Sequence, residues 1–248
     1  MKKIFLYGLM LCSTVFAFTS CNDDEDQLTD TRITYYVNMD LQGEEMTLIP
    51  LGSAYQDAGC KAELNGEDYT SKIVTVGLED VDVNTVGFYD IVYTAVNPDG
   101  YSASVSRTVV VYDPTVTASI AGTYSTDMEA SKYGAKKNPF SAYAANYGNT
   151  SQCVGIKFTE VAPGIYYVND LLGGWYNQIR GYGTKYCMTG YVSLNPDNTL
   201  TLQSSYITGW GDGLDYIEDT ACDPAAGKIS YSLSYAGQIF MDIVLNKD

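Results

Sequence analysis

From Ile33 onward the chain is a succession of short β-branched and aromatic runs, each closed by a turn signal. Nowhere does a long apolar stripe recur at helical spacing. That pattern confines the chain to an all-β fold. In the first half the candidate strands are Ile33 to Val37, Met46 to Pro50, Cys60 to Leu64, Ile73 to Val76, Phe88 to Val96 and Val105 to Tyr112. Asn65-Gly66 and Asn97-Pro98-Asp99-Gly100 reverse the backbone between them. In the second half they are Cys153 to Val161, Ile165 to Val168, Tyr186 to Leu194, Thr199 to Ile207, Ile229 to Tyr235 and Ile239 to Leu245. Ala162-Pro163-Gly164, Asn195-Pro196-Asp197-Asn198 and Ala236-Gly237 join neighbours there as hairpins. With 23 Tyr and 23 Gly, the inventory suits pleated, half-buried surfaces and tight turns.

Phe88 to Val96 places Tyr89, Ile91, Tyr93 and Ala95 on one face by period two, as a sandwich core requires. Val105 to Tyr112 is less regular. Arg107 falls in register with Val105 and Val109, which predicts a bulge or an edge position. Proline restricts the residue before it, so the strand ends ahead of Pro114. This divides the chain into a domain at 32–113, a linker at 114–116 and a domain at 117–248. Each half has its own strand set, so the two are expected to fold independently. The short linker limits their relative motion.

The string Gly52-Ser53-Ala54-Tyr55-Gln56-Asp57-Ala58-Gly59-Cys60, then Val86-Gly87-Phe88-Tyr89, Ile91-Val92-Tyr93-Thr94-Ala95 and Arg107-Thr108-Val109-Val110-Val111, resembles bacterial immunoglobulin-like (HYR-like) domains. It departs from them in having Cys60 where Ala is usual and Asn97 where Asp often begins the turn. The resemblance implies a β-sandwich acting as spacer or stalk, with no catalytic residues. Ile120-Ala121-Gly122-Thr123-Tyr124 resembles the opening of lipocalin-like meander barrels. Successive hairpins imply an antiparallel meander in the C-terminal domain, closed as a barrel or folded as a sandwich.

Residues 1–20 read as a signal peptide: Lys2 and Lys3, an apolar run from Ile4 to Phe18, then Thr19-Ser20. Phe18-Thr19-Ser20-Cys21 resembles a lipobox, with Phe18 where Leu is usual. That implies cleavage before Cys21 and lipid attachment there, the acyl chains anchoring the protein to a membrane. An acidic tether follows at 21–31, and Asn22-Asp23-Asp24-Glu25-Asp26 resembles the tag that exports some lipoproteins to the cell surface. The predicted location is the outer membrane, lipid-anchored and facing the exterior.

Composition removes several classes of function. Lys+Arg number 14 against 30 Asp+Glu, for a net charge of −16, more negative once Lys2 and Lys3 are cleaved off. Nucleic acid and anionic lipid headgroups are repelled by such a field. Histidine is absent, which excludes Ser-His-Asp and Cys-His catalysis and most zinc sites. No cofactor or metal is expected, and Asp212-Gly213-Leu214-Asp215 lacks the ligand spacing of a calcium loop. Asp170, Asp212, Asp215 and Glu218 could supply a glycosidase pair, but any chain this acidic offers such pairs, and the chain reads as non-enzymatic. Cys60 reads as a small buried hydrophobe. Among Cys153, Cys187 and Cys222 one bridge is open, without a preferred pair.

Three segments do not behave as strands. Ser125 to Ser151 is a polar stretch of 27 residues, the length of a functional or disordered loop. Asn169 to Gln178 and Thr208 to Tyr216 each hold one of the two tryptophans among glycines, amides and acids. A pyranose ring stacks its apolar face on flat aromatics while its hydroxyls pair with amides and carboxylates. Trp175, Tyr176, Asn177, Trp210, Asp212 and Asp215 are therefore the candidate glycan site, the alternative being that the tryptophans plug the barrel as core. A lipidated tail, an immunoglobulin-like module and a β-rich C-terminal domain together resemble uncharacterised lipoproteins encoded beside starch-utilisation-type glycan importers. The expected function is polysaccharide capture for an outer-membrane importer, with membrane contact only through the lipid. A structural or adhesive protein with a protein partner, or a lipocalin-like carrier of a small apolar ligand, are the alternatives.

Overall fold

Alternation of apolar and polar residues builds the first domain as two facing sheets. Its strands are β1 (Val37–Leu41), β2 (Met46–Pro50), β3 (Cys60–Leu64), β4 (Glu67–Asp68), β5 (Val74–Val76), β6 (Gly87–Val96) and β7 (Ser102–Tyr112). One sheet has the order β1-β3-β4 and the other β2-β7-β6-β5, with β2 parallel to β7. Ile91 and Tyr93 of β6 and Val109 of β7 turn into one inner cluster, and Val37, Ala62 and Ala95 form another. The computed structural model describes residues 33–248. The signal peptide at 1–20, Cys21 and the acidic tether at 21–31 lie outside the described residues.

Two expectations are corrected here. The first strand begins at Val37 and not at Ile33, because Ile33 and Tyr36 stay exposed whereas Val37 starts the inward face. Arg107 marks neither a bulge nor an edge. β6 and β7 pair in unbroken register from Gly87↔Val111 to Val96↔Ser102, and β7 is an interior strand. Arg107 is buried because the motif around Asp57 neutralises it. Its Nη1 donates to Asp57 Oδ1, its Nε to the Glu44 carbonyl at 3.0 Å and its Nη2 to the Gln42 carbonyl. Tyr55, Tyr93 and the Gly59 amide also donate to that carboxylate, at 2.8, 2.6 and 3.1 Å. The Tyr55-x-Asp57-x-Gly59 string thus closes a buried polar knot in which each charge has partners.

The second domain comprises β8 (Gly122–Thr126), β9 (Lys132–Tyr133), β10 (Asn138–Pro139), α1 (Phe140–Tyr147), β11 (Ile156–Ala162), β12 (Ile165–Val168), β13 (Met188–Leu194), β14 (Leu200–Ile207), β15 (Leu214–Asp223), β16 (Lys228–Tyr235) and β17 (Ile239–Lys247). β8-β11-β12-β13-β14 and β15-β16-β17 are antiparallel meanders joined where β17 pairs with β8, Leu245 opposite Thr126. The sheet curls into a half-barrel. Between β14 and β15 the described ladder reduces to one bridge, Ile207↔Asp212.

The stretch Ser125 to Ser151 is not an open loop. It forms the β9–β10 hairpin and α1, whose Phe140 and Ala144 are buried one helical turn apart. Gly148, at φ 69°, ends the helix, its amide bonding to the Ala144 carbonyl at 2.8 Å. β15 is the longest of the strands that alternation misses, because Asp215, Glu218 and Asp219 interrupt its apolar positions and a register shift falls between Glu218 and Ala221.

Tyr36–Asp248 forms one compact unit. Val110 of β7 is fully buried against Ala162 and Ile165, with Val86, Phe88, Tyr112 and Val161 around them, and the Phe88 and Tyr191 rings lie 4.7 Å apart. A separate apolar core therefore lies between the two domains.

Candidate functional site: an aromatic platform around Trp210

The two tryptophans meet opposite fates. Trp175 starts a short π-helical turn, Trp175–Ile179, and is fully buried. Tyr133 stacks on it at 4.1 Å and 10°, while Phe140 and Tyr143 close in at 4.8 and 4.9 Å. No face of its ring is open to a ligand. Its Nε1 has no hydrogen-bond partner. The turn ahead of it is fixed by Asp170, which accepts from the amides of Leu172, Gly174 and Met188 at 3.1, 3.1 and 3.2 Å. Gly174 sits at φ 83°, where a Cβ would come within 2.9 Å of the Cys153 sulfur. Asp170 is buried, and that burial pushes its carboxyl up to about 6 against the pull of the three amides. It is a structural acceptor, closed off from any substrate.

Trp210 rides at the tip of the Thr208–Gly211 turn and is 45 % exposed. Bonds from the Ile207 amide to the Asp212 carbonyl (2.8 Å), from Gly211 to Ile207 (2.8 Å) and from Gly209 to the Lys185 carbonyl (2.7 Å) hold this turn. Gly209 packs against the Tyr186 ring, where a Cβ would come within 2.4 Å. Four tyrosines surround the indole. Tyr176 meets it edge-on at 4.7 Å, Tyr186 tilts at 4.8 Å, Tyr235 stacks at 6.1 Å and 28°, and Tyr182 stands at 6.4 Å. Tyr176 and Tyr235 are buried and form the floor, whereas Tyr182 is exposed beside the indole. Burial pushes the Tyr176 hydroxyl up to about 12, so the floor stays neutral.

The remaining candidates divide around this platform. Tyr235 donates to Asp212 Oδ1 at 2.8 Å, which places that carboxylate at the floor's rim. Asp215 accepts from Ser234 Oγ and the Gly237 amide, both at 2.8 Å, and lines a groove of about 330 Å³ between β14 and β15. Asn177 is half-buried and turns toward Cys187. Tyr176, Trp210 and Asp212 are thus brought together; Trp175 is removed into the core. Composition did not single out Tyr182, Tyr186 or Arg180. Arg180 and Tyr182 fall between the candidate strands, and the strand expected from Tyr186 begins at Met188, leaving Tyr186 in a short turn.

Cys60, Cys153, Cys187 and Cys222 are all free thiols. Burial pushes Cys153, Cys187 and Cys222 up to about 12, so none forms a reactive thiolate. Among the described residues no cluster of carboxylates and cysteines is arranged to hold a metal ion.

Comparison with known proteins matches both domains. Residues 113–247 match the family model for the C-terminal domain of BT2262-like proteins. Residues 39–111 match the model described as bacterial surface protein, Ig-like domain. The crystal structure of the lipoprotein BT2262 from Bacteroides thetaiotaomicron is 38% identical, covering 86% of this chain and 100% of its own, with a TM-score of 0.43. No curated protein matches the chain.

Proposed function

The chain belongs to the BT2262-like family, and from that premise we propose that it is a non-catalytic surface lipoprotein that captures polysaccharide on the Trp210 platform. Cys21 carries the lipid and the acidic tether leads away from the membrane. The immunoglobulin-like sandwich then holds the platform clear of the outer face of the outer membrane, where an importer takes the glycan onward. The observation that carries this reading is Trp210 itself: a large flat ring, half out of the protein, propped from below and beside by four tyrosines. Aromatics so fixed offer contact area at little entropic cost. The 38% identical relative is itself a lipoprotein, which supports the anchor at Cys21.

The test pairs binding with stability. Trp210→Ala should weaken binding to a polysaccharide ligand by about 30-fold, roughly 2 kcal/mol at 1.4 kcal/mol per decade, while the melting curve is unchanged. A screen in which neither chain binds any polysaccharide removes the reading. Labelling with a palmitate analogue that leaves Cys21 unmodified removes the anchor.

The barrel interior does not favour a carrier of apolar ligands, because Trp175, Phe140, Leu171 and their neighbours fill it. An adhesive role has one observation in its favour. Val74, Val76, Val92 and Val96 are exposed on the β5–β6 edge of the sandwich. Replacing Val74 and Val76 by Thr would abolish attachment to a protein partner and leave glycan binding intact.

A further inference from the structure

We infer that the platform selects acidic polysaccharide, its anion a carboxylate or a sulfate ester, through Arg180 and Lys185; this rests on the glycan reading above. In a chain with 30 acidic residues against 14 basic ones, these two cations stand on the platform itself. Arg180 is the one arginine of residues 113–247. Its guanidinium lies 5.2 Å from the centre of the Tyr182 ring, the Tyr182 and Tyr186 rings are 5.4 Å apart, and Lys185 Nζ lies 5.3 Å from the centre of Tyr186. Cation, two rings and cation therefore follow one another along a strip whose two rings both border Trp210.

Among the described residues neither cation is in an ion pair; those found join Arg107 to Asp57 and Lys137 to Asp242. Arg180 instead donates to the Tyr182 hydroxyl at 2.6 Å and lies over the Tyr147 ring at 4.5 Å. The nearby carboxylates are held elsewhere, Asp212 by Tyr235 and Asp215 by Ser234 and Gly237. A guanidinium with free donors takes a carboxylate or sulfate in a two-pronged bond, and an aromatic face beside it keeps it partly desolvated. Distant acidic residues count little, since salt screens exposed charges beyond about 8–10 Å. The backbone keeps the strip in place: Tyr182 N donates to the Tyr176 carbonyl at 3.0 Å and Arg180 N to that of Trp175 at 3.0 Å.

The experiment is affinity electrophoresis of the mature chain at about 0.15 M salt, in gels holding polygalacturonate, chondroitin sulfate, amylopectin or a mannan. Retardation should be strongest with an acidic polymer and fade as salt is raised. The polygalacturonate and chondroitin arms separate a carboxylate ligand from a sulfate one. Lys185→Gln and Arg180→Gln should each weaken the acidic interaction about tenfold, and Arg180→Lys should restore part of it. Circular dichroism melts on the same variants guard against loss of fold, and Lys185, being exposed, provides a variant that leaves the buried core untouched. Equal, Trp210-dependent retardation by amylopectin or mannan, unmoved by either Gln variant, would overturn the inference and leave the glycan reading standing. No retardation in any gel overturns both.

Discussion

The Arg107 guanidinium and the Asp57 carboxylate pair inside the immunoglobulin-like sandwich, linking β7 to the loop ahead of β3 across a core that is otherwise apolar. The side chains are 2% and 11% exposed, so neither charge can fall back on water when its partner is removed. Asp57→Ala should cost about 3–5 kcal/mol of stability, the usual penalty for stranding a buried charge. Replacing both, Asp57→Ala with Arg107→Met, should cost less than the single change. Urea unfolding of the unsubstituted chain and the two variants checks this, and a double variant less stable than Asp57→Ala would refute it.

Asp57 and Asp170 should pull stability in opposite directions with pH. Burial alone would raise Asp57, but the hydrogen bonds of Tyr93 and Tyr55 and the Arg107 charge outweigh it and hold the group below its ordinary value of 3.8. Its contribution is complete above the unfolded value and is lost as pH falls through the lower folded one. Asp170, by contrast, is raised to about 6 by burial. Between roughly pH 4 and 6 the folded chain holds a proton there that the unfolded chain has released. Stability from this group therefore falls as pH rises through that window, by about 3 kcal/mol at 1.36 kcal/mol per unit, and is level above it. Asp170→Asn should remove that downward slope. Identical slopes in the two chains would show that Asp170 does not titrate there.

Trp175 and Trp210 should separate cleanly on stability. Trp175→Ala removes the ring on which Tyr133 stacks and against which α1 packs, at a cost of about 3–5 kcal/mol. Trp175→Phe should be milder, since the indole nitrogen forfeits no hydrogen bond. Trp210→Ala should move the midpoint by less than about 1 kcal/mol, in keeping with its exposure. A large loss at Trp210 with little at Trp175 would reverse their assignment to surface and core.

Much of this architecture is legible where alternation is clean. β2, β3 and β12 run over the residues that β propensity selects, and the Asn65-Gly66 turn has the left-handed backbone its residues favour, φ 53° and 82°. What was illegible has physical causes. Arg107 looks misplaced until Asp57, fifty residues away, is known to face it. α1 owes its existence to Trp175, not to its own sequence, because eight residues nucleate poorly alone. At the site, composition found Trp210 but gave Trp175 the same weight. Burial distinguishes them, and burial is set by which turn the half-barrel closes over.

The core between the domains yields the last prediction. β7 alternates between two interiors, with Val109 in the sandwich and Val110 against Ala162 and Ile165 of the half-barrel. Phe88, opposite Val110 on β6, extends that second surface to Tyr191. A cut at Pro114 would expose all of it, so the halves expected from sequence to be self-sufficient should each melt below the intact chain. Val110→Ser should cost the intact chain about 2–3 kcal/mol, from lost methyl packing and a buried hydroxyl. Val92→Ser, on β6 at an exposed position, should stay within about 0.5 kcal/mol. In the isolated first domain Val110 faces water, and there Val110→Ser should be nearly neutral. Calorimetry on the intact chain and the 36–113 fragment, each with and without Val110→Ser, reads the contrast directly. An equal loss in both would place Val110 in the sandwich core and leave the two domains energetically independent.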